Sequence, residues 1–208
     1  DLRLAPAVRD SLIERLTDYY LSRPDYAFAP VPKSMALMDE QPFSQVFRRS
    51  HPRFNGLIWA YHWLQVGLYE PMIVARDSAE QAAGVRATVA RFQEMVATER
   101  FPRVMPMTPA IAPEFSRRHP RAAAIFDNLH MMHDIISDVL ASPTIQPERK
   151  REEIYAQLAE FRSSAGQVMT TEEWWGMVDH MGGIDAMGGP ATGERPAAAP
   201  TGGHEHQH

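Results

Sequence analysis

Proline placement is the feature that most constrains how this chain can fold. The 208 residues include 17 prolines, and they are concentrated in two stretches, residues 24–52 and 102–120. Proline lacks an amide donor and clashes with the preceding helical turn, so these stretches must be connections or helix starts. Regular structure is therefore expected mainly between and after them.

The segments between the prolines have the periodicity of helices. The clearest begins at Pro120, and its apolar residues recur every three or four positions: Ala122, Ile125, Leu129, Met132, Ile136 and Val139. The first segment repeats Val8, Leu12, Leu16 and Tyr19 on one helical face. No stretch alternates apolar and polar residues long enough to predict a strand. The chain is therefore predicted to be all-α, a helical bundle of about four main helices with short additional helices and a disordered C-terminal tail.

The composition changes near residue 183. Thr170 and Glu173 have capping-box spacing and predict a last short helix. From Gly183 onward glycine, proline and alanine dominate, which favours a flexible tail. We expect a bundle domain over residues 1–182 and a tail over residues 183–208.

Charge and hydropathy exclude two classes of partner. Lysine plus arginine number 21 against 26 acidic residues, a formal net charge of −5, and no dense basic block offers a track for phosphates. The most apolar run, residues 57–75, is interrupted by His62, Gln65, Glu70 and Pro71. We therefore expect no nucleic acid, no membrane span, and a buried helix over residues 57–75.

The chain contains no cysteine, which removes disulfides, thiolate nucleophiles, zinc-thiolate sites, iron–sulfur clusters and covalently attached haem. Histidine, methionine, aspartate and glutamate remain as strong metal ligands. Phosphate-binding loops, G-x-S-x-G and HExxH are also missing, so catalysis is not favoured. The chain starts at Asp1 without methionine, which is consistent with export and an extracytoplasmic setting, periplasmic or secreted.

Candidate metal ligands cluster in the helix that begins at Pro120. His130, His133 and Asp134 are spaced so that two or three of them can reach one atom from a single turn. At about 100° per residue, His133 lies at the edge of the apolar face and His130 lies further toward solvent. These residues predict half of a metal site.

The other half is expected from a second buried helix. His62 lies within an apolar run, where its imidazole needs a hydrogen-bond partner or a metal. Glu70, about two turns further, is a candidate carboxylate ligand or a partner of a ligand. The predicted metal site therefore contains His62, His130, His133, Asp134 and Glu70.

A structural role for the same residues stays open. A buried histidine is commonly satisfied by a carboxylate or a backbone carbonyl, and Asp134 could pair with His130. Asp127, Asp134 and Asp138 could equally form a solvated acidic face. A b-type haem with non-covalent histidine and methionine ligands is a further alternative.

Methionine, tryptophan and the histidine-rich terminus give weaker signals. Met105-Pro106-Met107 is a pair of thioethers in a proline-rich connection, and thioethers favour Cu(I). Three histidines near the end, His204, His206 and His208, could capture a metal loosely or serve only solubility.

Trp174 and Trp175 are adjacent and lie close to Met177 and Met181. They would cover the bundle or, if exposed, dock on a protein partner, as other methionine-rich surfaces could.

Two basic turns resemble each other, residues 47–53 and 116–121, each with a His-Pro-Arg sequence before a major helix. They are interpreted as helix starts, with His51 and His119 in extended geometry before the proline. No longer internal repeat is apparent.

The function expected from these observations is that of an exported, soluble bundle that binds a transition metal ion. Copper is the first candidate, with zinc or iron next, and storage, delivery or sensing fits better than catalysis. The alternatives are an accessory or interaction subunit of a larger assembly and a b-type haem protein.

Overall fold

The computed structural model describes residues 4–192. The helices in this part of the chain are α1 (Pro6–Leu21), α2 (Ala36–Asp39), α3 (Val46–Ser50), α4 (Pro52–Val74), α5 (Ser78–Thr98), α6 (Thr108–Ile111), α7 (Pro113–Arg118), α8 (Pro120–Ala141), α9 (Pro147–Arg162) and α10 (Thr171–His180). The only extended pairing among these residues is an isolated bridge between Lys33 and Val168. The all-α prediction is therefore confirmed for the described residues.

Two long helices, α4 and α8, lie at the centre of the bundle. Helix α4 packs against α3, α5, α6 and α7, and α8 packs against α1, α2, α3, α6, α7 and α9. Residues 57–74 belong to α4 and form a largely buried helix, as expected, and Ala75 is its C-cap. No helix within residues 4–192 has both the length and the apolar composition needed to cross a bilayer.

Helix α8 is buried around more of its circumference than its periodicity indicates. Ile125, Met132 and Val139 are buried as predicted, but Leu129 is 41% exposed. Met131, on the face expected to point outward, is fully buried. The reason is that α8 is covered by several helices on different sides, whereas a single apolar face predicts one packing direction.

The periodic face of α1 points to solvent. Val8, Leu16 and Tyr19 are each more than half exposed. The helix is instead attached through polar groups, because Glu14 bonds to His119 and Arg121, and Asp18 bonds to Arg121. Periodicity predicted the helix but not which of its faces contacts the bundle.

The segment before α2 is held against α8 by one buried side chain. The Nδ2 atom of Asn128 donates to the carbonyls of Ala29 and Val31, and its Oδ1 accepts from the backbone amide of Lys33. The Lys33 side chain is fully buried, with Nζ donating to the carbonyl of Gly166 at 2.9 Å. This connection therefore ties α8 to the loop between α9 and α10.

Residues 183–192, which we assigned to the flexible tail, pack against the bundle. Met187 is fully buried, and Ala186 and Ala191 are 4% and 6% exposed. The Nε1 atom of Trp63 donates to the carbonyl of Gly189 at 2.7 Å. A flexible tail was expected because this segment has few large apolar residues. Backbone carbonyls and small side chains make many of its contacts instead. Residues 193–208, with the three terminal histidines, lie outside the described residues.

Candidate metal centre

Four of the five predicted ligand residues lie together between α4 and α8. His62 is contributed by α4, and His130, His133 and Asp134 are contributed by α8. Periodicity does not predict the order of helices in a bundle, so only the structure brings these residues of α4 and α8 together. Glu70, the fifth residue, lies elsewhere.

The three imidazoles contact one another directly. Nε2 of His62 lies 3.0 Å from Nδ1 of His133. The rings of His62 and His130 are stacked, with centroids 4.1 Å apart and planes 9° from parallel. On the far side of this stack, Nε2 of His130 lies 3.2 Å from Oε1 of Gln65.

Three of these side chains bring ligand atoms close to one another. One ring nitrogen each from His62 and His133 and one carboxylate oxygen of Asp134 lie within 4.8 Å of one another. No other group of three histidine or carboxylate residues in the described part of the chain does so. Asp134 is held in place by Trp59, whose Nε1 donates to Oδ2 at 2.8 Å.

The burial of the two α8 histidines is the reverse of what the helical angles predicted. His130 is 6% exposed and His133 is exposed to solvent. His133 lies at the edge of an open groove of about 470 Å³ that reaches the cluster. The groove is lined by the imidazoles together with Ile58, Tyr61, Gln65, Phe126 and Leu129.

Burial keeps the imidazoles uncharged. It lowers the pKa of His62 to about 2, with a smaller contribution from the neighbouring His130 and His133. It lowers the pKa of His130 to about 4, and the part of the His133 ring that faces the protein is desolvated enough to lower the pKa of His133 as well. Burial raises the pKa of the Asp134 carboxyl to about 7. Neutral imidazoles retain the lone pair that a metal ion needs.

Two ring nitrogens of the cluster have no protein partner. Nδ1 of His62 and Nδ1 of His130 are buried, and neither makes a hydrogen bond within residues 4–192. A buried polar atom without a partner costs about 1–3 kcal/mol. These two nitrogens therefore stay unsatisfied within the described residues, and neither is one of the pair that lies 3.0 Å apart.

Glu70 is part of a different contact, so its assignment to the metal site is not supported by its position. Its carboxylate accepts hydrogen bonds from the backbone amides of Glu114 and Phe115, at 3.1 Å each. These amides belong to the first turn of α7 and have no partner within that helix. Glu70 therefore caps α7 from α4, which requires the same burial that made it a candidate ligand.

The methionines and tryptophans that the sequence singled out lie mainly in the core of the bundle. Met105 and Met107 are each 1% exposed. Met105 lines a cavity of about 190 Å³ with Met35, Met38, Met181 and, from the histidine cluster, Asp134.

Trp174 is 2% exposed, and its Nε1 donates to Oδ2 of Asp127, so it covers the bundle. Trp175 is partly exposed and stacks edge-on against it.

Comparisons with protein-family models, curated proteins and solved structures find no match to this chain.

Sequence reasoning missed two residues of the cluster, Trp59 and Gln65. Gln65 follows His62 by three positions, the spacing that singled out His130 and His133, but only titratable groups were sought there. Nothing in the sequence marks Trp59 as the partner of Asp134, because their contact joins two helices.

Proposed function

We propose that the protein binds a transition metal ion through His62, His133 and Asp134, with copper the first candidate and zinc or iron next. The observation that carries the proposal is the 3.0 Å separation of Nε2 of His62 from Nδ1 of His133, with an Asp134 oxygen in the same group. Two imidazoles and a carboxylate suit these metals. His130 supports the site by stacking on His62.

Copper is the first candidate because Cu(II) binds nitrogen and oxygen ligands most tightly among the divalent metals of this series. Zinc and iron come next, because imidazole ligands also suit them.

The surroundings of the site favour storage, delivery or sensing. The exposed ring of His133 and the open groove give an ion direct access from solvent. Three protein ligands leave positions for exchange with a donor or acceptor.

The geometry of the histidine cluster does not favour the haem alternative. Axial ligands point their nitrogens at the haem iron from opposite faces of the macrocycle, whereas the rings of His62 and His130 are stacked face to face with centroids 4.1 Å apart. This pair therefore does not have the arrangement of two axial histidines.

An accessory or interaction role is the second candidate. It is favoured by the row of exposed apolar residues on α1, Val8, Leu16 and Tyr19. It becomes the leading candidate if the histidine cluster takes up no metal.

Titration with Cu(II) tests the proposal. The terminal histidines are first replaced (His204→Ala, His206→Ala and His208→Ala together) so that only the bundle is measured. Calorimetry and elemental analysis should give one copper per chain, and electron paramagnetic resonance should show hyperfine coupling to two nitrogens. The His62→Ala variant should lose this ion and keep its helical circular dichroism.

His180→Ala is the matched control, because His180 is an exposed helical histidine far along the chain from the cluster. It should bind copper like its parent. A parent that binds no copper, or a His62→Ala variant with unchanged stoichiometry and affinity, would contradict the proposal.

A further inference from the structure

The two basic turns begin two related units, although no internal repeat was apparent in the sequence. At a constant offset of 68 residues, from Pro52 to Pro120, six positions carry the same residue. The pairs are Phe47 and Phe115, Arg49 and Arg117, His51 and His119, Pro52 and Pro120, Arg53 and Arg121, and His62 and His130. The first unit is α3 with α4, and the second is α7 with α8.

The backbones of the two turns are nearly the same. His51 has φ −134° and ψ 57°, and His119 has φ −129° and ψ 57°. The amide of His51 donates to the carbonyl of Phe47 at 2.8 Å, and that of His119 donates to Phe115 at 2.8 Å. The proline that follows starts a helix of 23 residues in one unit and 22 in the other.

The units exchange equivalent contacts. Glu70 of α4 caps α7 through the amides of Glu114 and Phe115. Asp138, its counterpart on α8, caps α3 through the amides of Gln45 and Phe47, at 2.9 and 2.8 Å. Reciprocal contacts of this kind are the mark of a two-fold arrangement.

The pseudo-two-fold axis passes through the histidine cluster. His62 and His130 occupy equivalent positions and stack on each other, which only residues next to such an axis can do. Gln65 and His133 are also equivalent, and both are exposed. The His62–His133 contact at 3.0 Å therefore has a counterpart in the His130–Gln65 contact at 3.2 Å.

The two half-sites differ in their donor atoms. The first has two imidazoles and the Asp134 carboxylate. The second has one imidazole and the Gln65 amide, and Val66 stands where Asp134 would be. An amide oxygen is a poorer ligand for copper than an imidazole nitrogen.

We infer that residue 65 sets the number of metal ions this centre holds, because a histidine there would give the symmetry-related ligand position at His130 its second imidazole. The inference rests on the proposed function, since it assumes that the His62–His133 half-site binds an ion. The exposed position of Gln65 means that a histidine there enters solvent-accessible space, as His133 does.

Copper stoichiometry of Gln65→His tests the inference. In the full chain with the three terminal histidines replaced by alanine, the parent should bind one Cu(II) and Gln65→His should bind two. The added ion should bind more weakly than the first, because Val66 supplies no carboxylate. Gln65→Ala is the control and should bind one ion.

A reciprocal exchange keeps the result decisive if the single variant folds poorly. His133→Gln alone should lose copper, and His133→Gln combined with Gln65→His should recover one ion at the His130 half-site. One ion in Gln65→His with native helicity, or none in the double variant, would overturn the inference and leave the proposed function standing. No ion in the parent would overturn both.

Discussion

Asp127 joins three helices through a single buried carboxylate. Its Oδ1 accepts from the amide and hydroxyl of Thr108, at 2.9 and 2.6 Å, and its Oδ2 accepts from Nε1 of Trp174 at 2.7 Å. The residue is 1% exposed. Burial raises the pKa of this carboxyl to about 6, although the three donors partly oppose the shift.

The raised pKa of Asp127 predicts how the free energy of unfolding changes with pH. Because the folded-state pKa lies above the unfolded value of 3.8, the folded protein binds the Asp127 proton more tightly. This group's contribution to stability is complete below the unfolded pKa and is lost as pH rises through about 6. Relative to Asp127→Asn, wild type should lose about 2–3 kcal/mol between about pH 4 and about pH 7.

Urea unfolding of both proteins across that range measures the difference. The subtraction is needed because other buried groups titrate as well, and the imidazoles act with the opposite sign. Parallel stability profiles for the two proteins would show that Asp127 does not titrate as its burial implies.

The sequence indicated which residues belong to the site better than it indicated their hydrogen-bond partners. His62, His130, His133 and Asp134 were identified because histidine within an apolar run is informative. Asp127, Asp134 and Asp138 were also considered as a solvated face, yet all three are buried. Their donors are Thr108, Trp59, Trp174 and the start of α3, and none of these is near them in sequence.

At the scale of elements, a glycine of α5 packs directly against a proline of α4. A Cβ atom on Gly84 would lie 2.5 Å from the Cβ of Pro71, inside α4. The proline ring is rigid, so it cannot move aside as a flexible side chain would. The packing of α5 on α4 therefore requires a residue without a side chain at position 84.

Two glycine-to-alanine changes should have opposite effects. Gly84→Ala should destabilise the protein by about 1–3 kcal/mol, because the clash outweighs the better helix propensity of alanine. Gly176→Ala in α10 meets nothing within 4 Å and should stabilise the protein by up to about 1 kcal/mol. Chemical denaturation of the two variants provides the comparison, and a neutral Gly84→Ala would mean that α5 can shift away from Pro71.

Local signals located several helix ends correctly. The predicted capping box of Thr170 and Glu173 is present, and Pro120 begins α8. At α5 the N-cap is Asp77, whose side chain accepts from the amides of Ala79 and Glu80. Caps and prolines act on residues a few positions away, so they can be predicted from the sequence. Which face of α1 points outward depends on its contacts with α8, and sequence spacing does not encode those contacts.

At the scale of the whole molecule, the last described segment completes the core. Met187 is fully buried, and Gly188 and Gly189 adopt φ of 98° and 81°, a region that favours glycine. The amide of Arg103 donates to the carbonyl of Ala186 at 2.7 Å. Residues 183–192 therefore hold the α5–α6 connection against α4.

Met187→Ala tests whether this segment stabilises the fold as a core element does. The change should cost about 2–5 kcal/mol, the range for a buried methionine. Met72→Ala is the matched control, because Met72 is 38% exposed on α4, and it should cost far less. Thermal unfolding monitored at the helical signal distinguishes them. Equal losses would show that residues 183–192 are only loosely attached.

The assembly of the bundle was the part least accessible to prediction. The sequence predicted α1, α4, α8 and the short α10, but the pairing of α3 with α8 and of α7 with α4 depends on carboxylates reaching across the molecule. The pseudo-two-fold relation was hidden because the equivalent residues are identical mainly in the turns. Contacts between distant parts of the chain, and not local preference, decide which helices become neighbours.

The indole of Trp63 hydrogen-bonds to Gly189, a residue that a ribosome adds 126 positions later. During synthesis α4 and α5 therefore emerge long before the carbonyl that satisfies this buried donor. The interior around Trp63 therefore stays incomplete until residue 189 has been translated, and only then can this buried donor be satisfied.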